Sequence, residues 1–240
     1  MGWDMATDAT RSGADFQVCA GPPGAASPMR TAPSAGLETR EGGSGDPLQA
    51  WTPAPQVTPR TRALVVGMEK SGLASIQLLL QHGATVRATD VKPLSQMPEA
   101  AATLERLRVP FAQQSDNIFD GVDLIVISPG VPADLPPLEA ARRRGVRVIG
   151  EVELAAPFLL GRTIGITGTN GKTTTTALVG HILRESGIAA QVGGNIGTPV
   201  TAMIESSRPD RWNVLELSSF QLETIENCQC ITPRNLPEPS

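Results

Sequence analysis

Thr163-Ile164-Gly165-Ile166-Thr167-Gly168-Thr169-Asn170-Gly171-Lys172-Thr173-Thr174 is the stretch on which the fold turns. It opens as a short buried strand, continues as a glycine-bearing loop, and ends at the start of a helix that the pattern carries to about Glu185. A loop of that kind turns backbone N–H groups toward a phosphate, and the helix dipole adds partial positive charge. In the general phosphate loop the lysine reaches the terminal phosphates and the next hydroxyl holds magnesium, roles that fall here to Lys172 and Thr173. The match is imperfect: the general pattern has glycine where this chain has Ile166, with Gly165 and Gly168 on either side. The plainer reading of the same residues is a Gly/Thr-rich loop with a solvated lysine. The strand before it and the helix after it favour the phosphate.

Toward the N-terminus the same alternation repeats. Ala63 to Val66 is an apolar run ending in Gly67, and a helix is expected from about Leu73 to His82, with Ser71 as its cap and Gly83 just past its end. Thr85 to Ala88 closes on Asp90, and Asp123 to Ile127 leads into the turn Ser128-Pro129-Gly130. A helix over Leu138 to Arg144 stops at Gly145 before a strand at Val146 to Ile149. Past the lysine loop, Ala189 to Val192 and Asn213 to Leu217 are further strands. The fold class is therefore α/β: a Rossmann-like parallel-sheet domain over residues 61 to 160, covered by helices on both faces, then an incomplete phosphate-loop α/β domain over 161 to 227. Residues 1 to 60 are rich in Gly, Pro, Ala, Ser and Thr without period, so a disordered tail is expected there. Residues 228 to 240 also lack periodicity.

Composition narrows the classes. The formal charge of −4 over 240 residues gives no electrostatic footprint for nucleic acid or an anionic membrane. No apolar run is long enough to span a bilayer, and no basic-then-apolar leader opens the chain. Cys19, Cys228 and Cys230 cannot make a disulfide framework, and no second pair or histidine completes a metal site with the last two. His82 and His181 read as helix residues rather than ligands. A cytoplasmic monomeric enzyme is the expectation.

The loop Gly168, Thr169, Asn170, Gly171, Lys172, Thr173, Thr174 resembles the nucleotide loop of the Mur ligase superfamily, which also includes folylpolyglutamate synthases. Its members use ATP to make an acyl phosphate that an amine then attacks. Two further segments, Val192 to Pro199 and Leu215 to Glu223, resemble the branch that adds D-glutamate to UDP-N-acetylmuramoyl-L-alanine. That resemblance implies ATP and Mg2+ as cofactors and catalytic roles for Lys172, Asn195 and Glu216. Metal binding would fall to Thr173 and Glu216. Glu216 also stands at the carboxyl end of an apolar strand, where open α/β sheets place ligands; alone it would read as a solvated strand-end carboxylate.

The first domain carries a second signature. Gly67-Met68-Glu69-Lys70-Ser71-Gly72 follows a strand, opens a helix and has Asp90 about twenty residues on, as in a dinucleotide fold. In the D-glutamate-adding branch such a domain holds UDP rather than NAD. The resemblance implies UDP-substrate binding by Gly67, Ser71, Gly72, Asp90, Ser128, Gly130, Asn195 and Ser218. Glu69 departs from the family, which has glycine there, and sets bulk and negative charge beside a diphosphate.

The resemblance spans about Thr61 to Asn227. The rest of the ATPase domain, with a histidine and a carbamylated lysine, and the C-terminal domain that helps bind D-glutamate fall outside this sequence. The chain as written is therefore expected not to complete the ligation. Other readings remain open at this stage: another ligase of the superfamily, such as the L-alanine-adding one, a non-catalytic nucleotide-binding fragment, or an NAD(P) oxidoreductase built on the first domain.

Overall fold

The computed structural model describes residues 57–225. The tail expected over residues 1 to 60 falls almost wholly outside them, as do all the cysteines and the segment after Ile225. The apolar runs form parallel sheets. β1 (Arg62–Val66), β2 (Thr85–Asp90), β3 (Phe111–Gln113), β4 (Leu124–Ile127) and β5 (Arg147–Gly150) lie in the order β3-β2-β1-β4-β5, every pair parallel. Between and after them run α1 (Lys70–Gln81), α2 (Pro98–Leu107), α3 (Pro136–Arg143) and α4 (Glu151–Ala155).

Successive side chains of a strand face opposite sides of its sheet, and β1 divides the core accordingly. Ala63 and Val65 pack with Ile76, Leu79, Leu104 and Leu154, while Leu64 and Val66 pack with Phe119, Leu138 and Ala141 on the other side. Both faces are covered. Such two-sided burial is why the strands read as continuous apolar runs.

The second unit holds β6 (Arg162–Ile166), β7 (Ala190–Gly194) and β8 (Trp212–Glu216) in the order β6-β8-β7, again parallel. Its helices are α5 (Lys172–Glu185), α6 (Val200–Met203) and α7 (Ser219–Leu222). The short α6 packs against α1 and α4 of the first unit. Val152 and Ala155 share a core with Val200, Met203, Leu215 and Leu217, so the second sheet is seated on the first. No helix among the described residues is long and apolar enough to cross a membrane.

The strands expected from the sequence are present, with bounds moved by a residue or two. The start of α1 is a correction. The helix begins at Lys70 with Glu69 as its cap residue, not at Leu73 behind Ser71, because the Leu73 N–H already donates to the Glu69 carbonyl at 3.0 Å. Ser71 lies inside the first turn, where its carbonyl accepts from Ser75 Oγ.

That early start draws Gly72 against the end of β1. A Cβ built at Gly72 would overlap the Gly67 carbonyl oxygen, a backbone atom that the sheet holds in place. Gly72→Ala is therefore expected to destabilise the fold by roughly 3 kcal/mol, the upper end for overpacking. A denaturant midpoint equal to that of the unsubstituted chain would show that the loop and helix separate freely.

Candidate functional site

Three strand ends of the second sheet meet. Lys172 opens α5 behind Gly171, whose φ of +77° belongs to the left-handed region that glycine alone enters at little cost. The Lys172 ammonium folds back over its own loop and donates to the Gly168 carbonyl at 2.9 Å and the Thr169 carbonyl at 3.4 Å. It is thereby held at the mouth of a helix N-terminus, in the place where a phosphate would accumulate charge.

Glu216 is the last residue of β8 and only 2% exposed. Its carboxylate is met from both neighbouring loops: Thr173 Oγ1 donates to Oε2 at 2.7 Å and Asn195 Nδ2 donates to Oε1 at 3.1 Å. The Asn195 N–H donates to the Glu216 carbonyl as well, at 2.9 Å. Thr173, Asn195 and Glu216 are thus one cluster built from the ends of β6, β7 and β8. A hydroxyl and a carboxylate this close are the hard oxygen donors that magnesium takes. No group of three or more His, Cys, Asp or Glu that could hold a metal ion occurs among the described residues. The oxygen pair fits a magnesium ion whose remaining ligands come from a nucleotide's phosphates and water, the usual arrangement for that ion. His181 sits on the exposed side of α5, 4.0 Å from Glu185, and His82 stacks on Phe158. Neither approaches the cluster.

Asn195 also reaches the space between the two units. A cavity of about 640 Å³ lies there, walled by Met68 to Ser71 after β1, Met97 to Ala100 at the start of α2, Pro129 and Gly130 after β4, and Gly194, Asn195, Gly197 and Pro199 after β7. The order β3-β2-β1-β4-β5 reverses direction between β1 and β4, and in open parallel sheets ligands bind at that reversal, off the carboxyl ends of the strands. Ser71, Gly130 and Asn195 face this cavity, and so do Glu69, Lys70 and Glu99.

The other residues named for the first domain brace the loop from behind. The Met68 N–H donates to Asp90 Oδ2 at 2.7 Å, and the Lys92 N–H donates to Asp90 Oδ1 at 2.9 Å, so both carboxylate oxygens hold backbone. Ser128 Oγ donates to the Gly67 carbonyl at 2.8 Å beneath the turn where Gly67 and Gly72 meet. Ser218 caps α7: its Oγ accepts from the Gln221 N–H at 3.2 Å, and the Gln221 side chain returns a bond to the Ser218 N–H. The wall at Met97 to Ala100 is absent from the sequence reading, and so is Glu151, which reaches across the boundary to Thr201.

Comparison with known proteins gives two family matches. Residues 61–150 match the family model described as Mur ligase MurD-like, N-terminal domain, and residues 166–233 match the Mur ligase middle domain. The chain is 71% identical over 164 residues to the UDP-N-acetylmuramoylalanine--D-glutamate ligase of Solibacter usitatus, which takes in 68% of this chain and 36% of that protein. It is 51% identical over 167 residues to the protein of the same name from Koribacter versatilis, covering 69% of this chain and 37% of that one. The chain thus spans little more than a third of the length of these relatives. Among solved structures it is similar to the UDP-N-acetylmuramate-alanine ligase of Thermotoga maritima, with 24% identity, a TM-score of 0.40, and coverage of 66% of this chain and 37% of that one. A likeness of that size carries no argument about function.

Proposed function

The chain belongs to the Mur ligases, carrying their N-terminal and middle domains, and from that premise we propose that it is part of an ATP-dependent ligase joining D-glutamate to UDP-N-acetylmuramoyl-L-alanine. The observation that carries the reading is the Thr173–Glu216–Asn195 cluster, beside the Lys172 loop and with Asn195 on the wall of the cavity between the units. In this reading the Gly168 to Thr174 loop grips the ATP phosphates with backbone N–H groups and the Lys172 ammonium. Thr173 and Glu216 hold magnesium, which when bound neutralises charge on the phosphates as the substrate carboxylate is phosphorylated. Asn195, anchored by Glu216 and facing the cavity, orients that carboxylate. The first-domain loop from Met68 to Ser71 and the turn at Pro129 and Gly130 receive the uridine diphosphate end. Bringing these parts within reacting distance supplies much of the rate in such a reaction.

Titration calorimetry of the chain with UDP-N-acetylmuramoyl-L-alanine and with UDP-N-acetylmuramate tests the assignment. Tighter binding of the alanyl compound is expected. A preference for the compound without alanine would transfer the chain to an alanine-adding ligase, and binding of neither would remove the nucleotide-sugar assignment.

Glu69 gives a further expected result. Its backbone, with φ −80°, needs no glycine, and its side chain makes no capping bond, so the residue brings only charge and bulk to the cavity wall. A like charge about 4 Å from a diphosphate in water costs about 1 kcal/mol. Glycine at a helix cap costs only a few tenths against the better capping residues. Glu69→Gly is expected to tighten UDP-N-acetylmuramoyl-L-alanine by roughly fivefold. Calorimetry showing equal or weaker affinity would place the diphosphate away from this loop.

A further inference from the structure

Glu151 is a carboxylic acid in a place where the fold gives it no solvent. It is the first residue of α4, directly after β5, and only 1% exposed. Its Oε1 accepts from the Thr201 N–H at 2.6 Å and from Thr201 Oγ1 at 2.8 Å. Its Oε2 is buried with no hydrogen-bond partner among the described residues. Thr201 belongs to the second unit, on α6, which follows directly on the segment from Asn195 to Pro199. That segment forms one wall of the cavity and carries the amide that meets Glu216. The opposite wall, Glu69 to Ser71, opens α1, and α6 lies against both α1 and α4.

We propose that Glu151 is a positioning residue which, through Thr201, fixes the Asn195 to Pro199 wall of the cavity against the Glu69 to Ser71 wall. Apolar packing of Val152 and Ala155 against Val200 and Met203 holds the two units together but sets no fine register, because dispersion contacts are weakly directional. Two hydrogen bonds converging on one buried oxygen do set it. Burial pushes the Glu151 carboxyl above the ordinary range, and the hydrogen bonds from Thr201 pull it back. Glutamine copies the shape of the carboxyl group. Its carbonyl can accept both Thr201 bonds, whereas alanine leaves the Thr201 donors buried and unmet.

This inference concerns how the cavity is held in register, and its link to ligand rests on the function proposed above, so the test has two arms. In the first, amide hydrogen exchange is measured on the full chain without ligand. Glu151→Ala is expected to speed exchange over residues 195 to 203 on the order of tenfold or more, with β1, β2 and β4 as protected as before. Glu151→Gln is expected to exchange like the unsubstituted chain. Thr201→Val, which keeps the side-chain volume and one of the two bonds, gives a smaller increase over the same residues and serves if the alanine variant does not fold. A uniform rise across both sheets, no change over 195 to 203, or a glutamine variant as loose as the alanine one overturns the proposal. In the second arm, UDP-N-acetylmuramoyl-L-alanine is titrated by calorimetry, with affinity expected to fall on the order of tenfold in Glu151→Ala and to stand in Glu151→Gln. Unchanged affinity in Glu151→Ala overturns the link to the site. Absence of binding by the unsubstituted chain overturns the functional reading instead, and the exchange arm then decides the role of Glu151 alone.

Discussion

Lys172→Ala is expected to lower affinity for ATP with magnesium by on the order of 100-fold or more, to the point where this chain binds no nucleotide in a calorimeter. The lysine is already committed to the loop, with its ammonium on the Gly168 and Thr169 carbonyls, so little reorganisation accompanies phosphate binding. Removing it takes away the fixed positive side chain of the loop and leaves backbone N–H groups to meet the phosphate charge. The fold should survive, because Lys172 occupies the first position of α5, where alanine is readily accommodated. A thermal melt of the variant checks this, and undiminished nucleotide binding in a folded Lys172→Ala chain would end the assignment of the loop.

Glu216→Gln is the second large effect. The substitution keeps the shape but removes the charge and one of two acceptors. Thr173 Oγ1 and Asn195 Nδ2 both donate to the native carboxylate; in the variant the amide oxygen still accepts from Asn195, and the Thr173 hydroxyl turns to accept from the amide nitrogen, so the local bonds survive while the charge is lost. Losing a carboxylate of a hard-cation site is worth several kcal/mol, and ATP binding by the variant is expected to become independent of magnesium. Its affinity with magnesium should fall by on the order of 100-fold, to that of the unsubstituted chain without magnesium. ATP titrations with and without the ion decide. Full magnesium dependence in Glu216→Gln would move the metal elsewhere.

The parts of this molecule legible in the sequence are those whose cause is local. The lysine loop announces itself because strand, glycines and helix start are consecutive, and the buried strands do so because burial on two faces makes them uniformly apolar. α2 is hard to read from sequence, although Pro98 and Glu99 are start signals. Its end carries none, since Arg108 rather than glycine takes the left-handed position with φ +56°. β3, from Phe111 to Gln113, is too short to show a period. The convergence of Thr173, Asn195 and Glu216 joins residues far apart in the chain, and only family resemblance suggested it. Glu151 and Thr201, 50 residues apart, had no such help. The one local hint was a pair of acidic residues, Glu151 and Glu153, inside the apolar run from Val148 to Ala155.

The parallel pairing of the first sheet also governs how the chain becomes folded. β1 is central, with β2 on one side and β4 on the other, and Arg62 at its start is 61 residues from Asp123 at the threshold of β4. A ribosome therefore delivers β1 long before its second neighbour, and the loop closed by that pairing is among the slower events of folding. In the interval Ala63 to Val66, almost fully buried in the end, present an open apolar edge to other nascent chains. Closure is unimolecular and association is bimolecular. Soluble yield is then the outcome of a race that dilution of the emerging chains favours and dense expression does not.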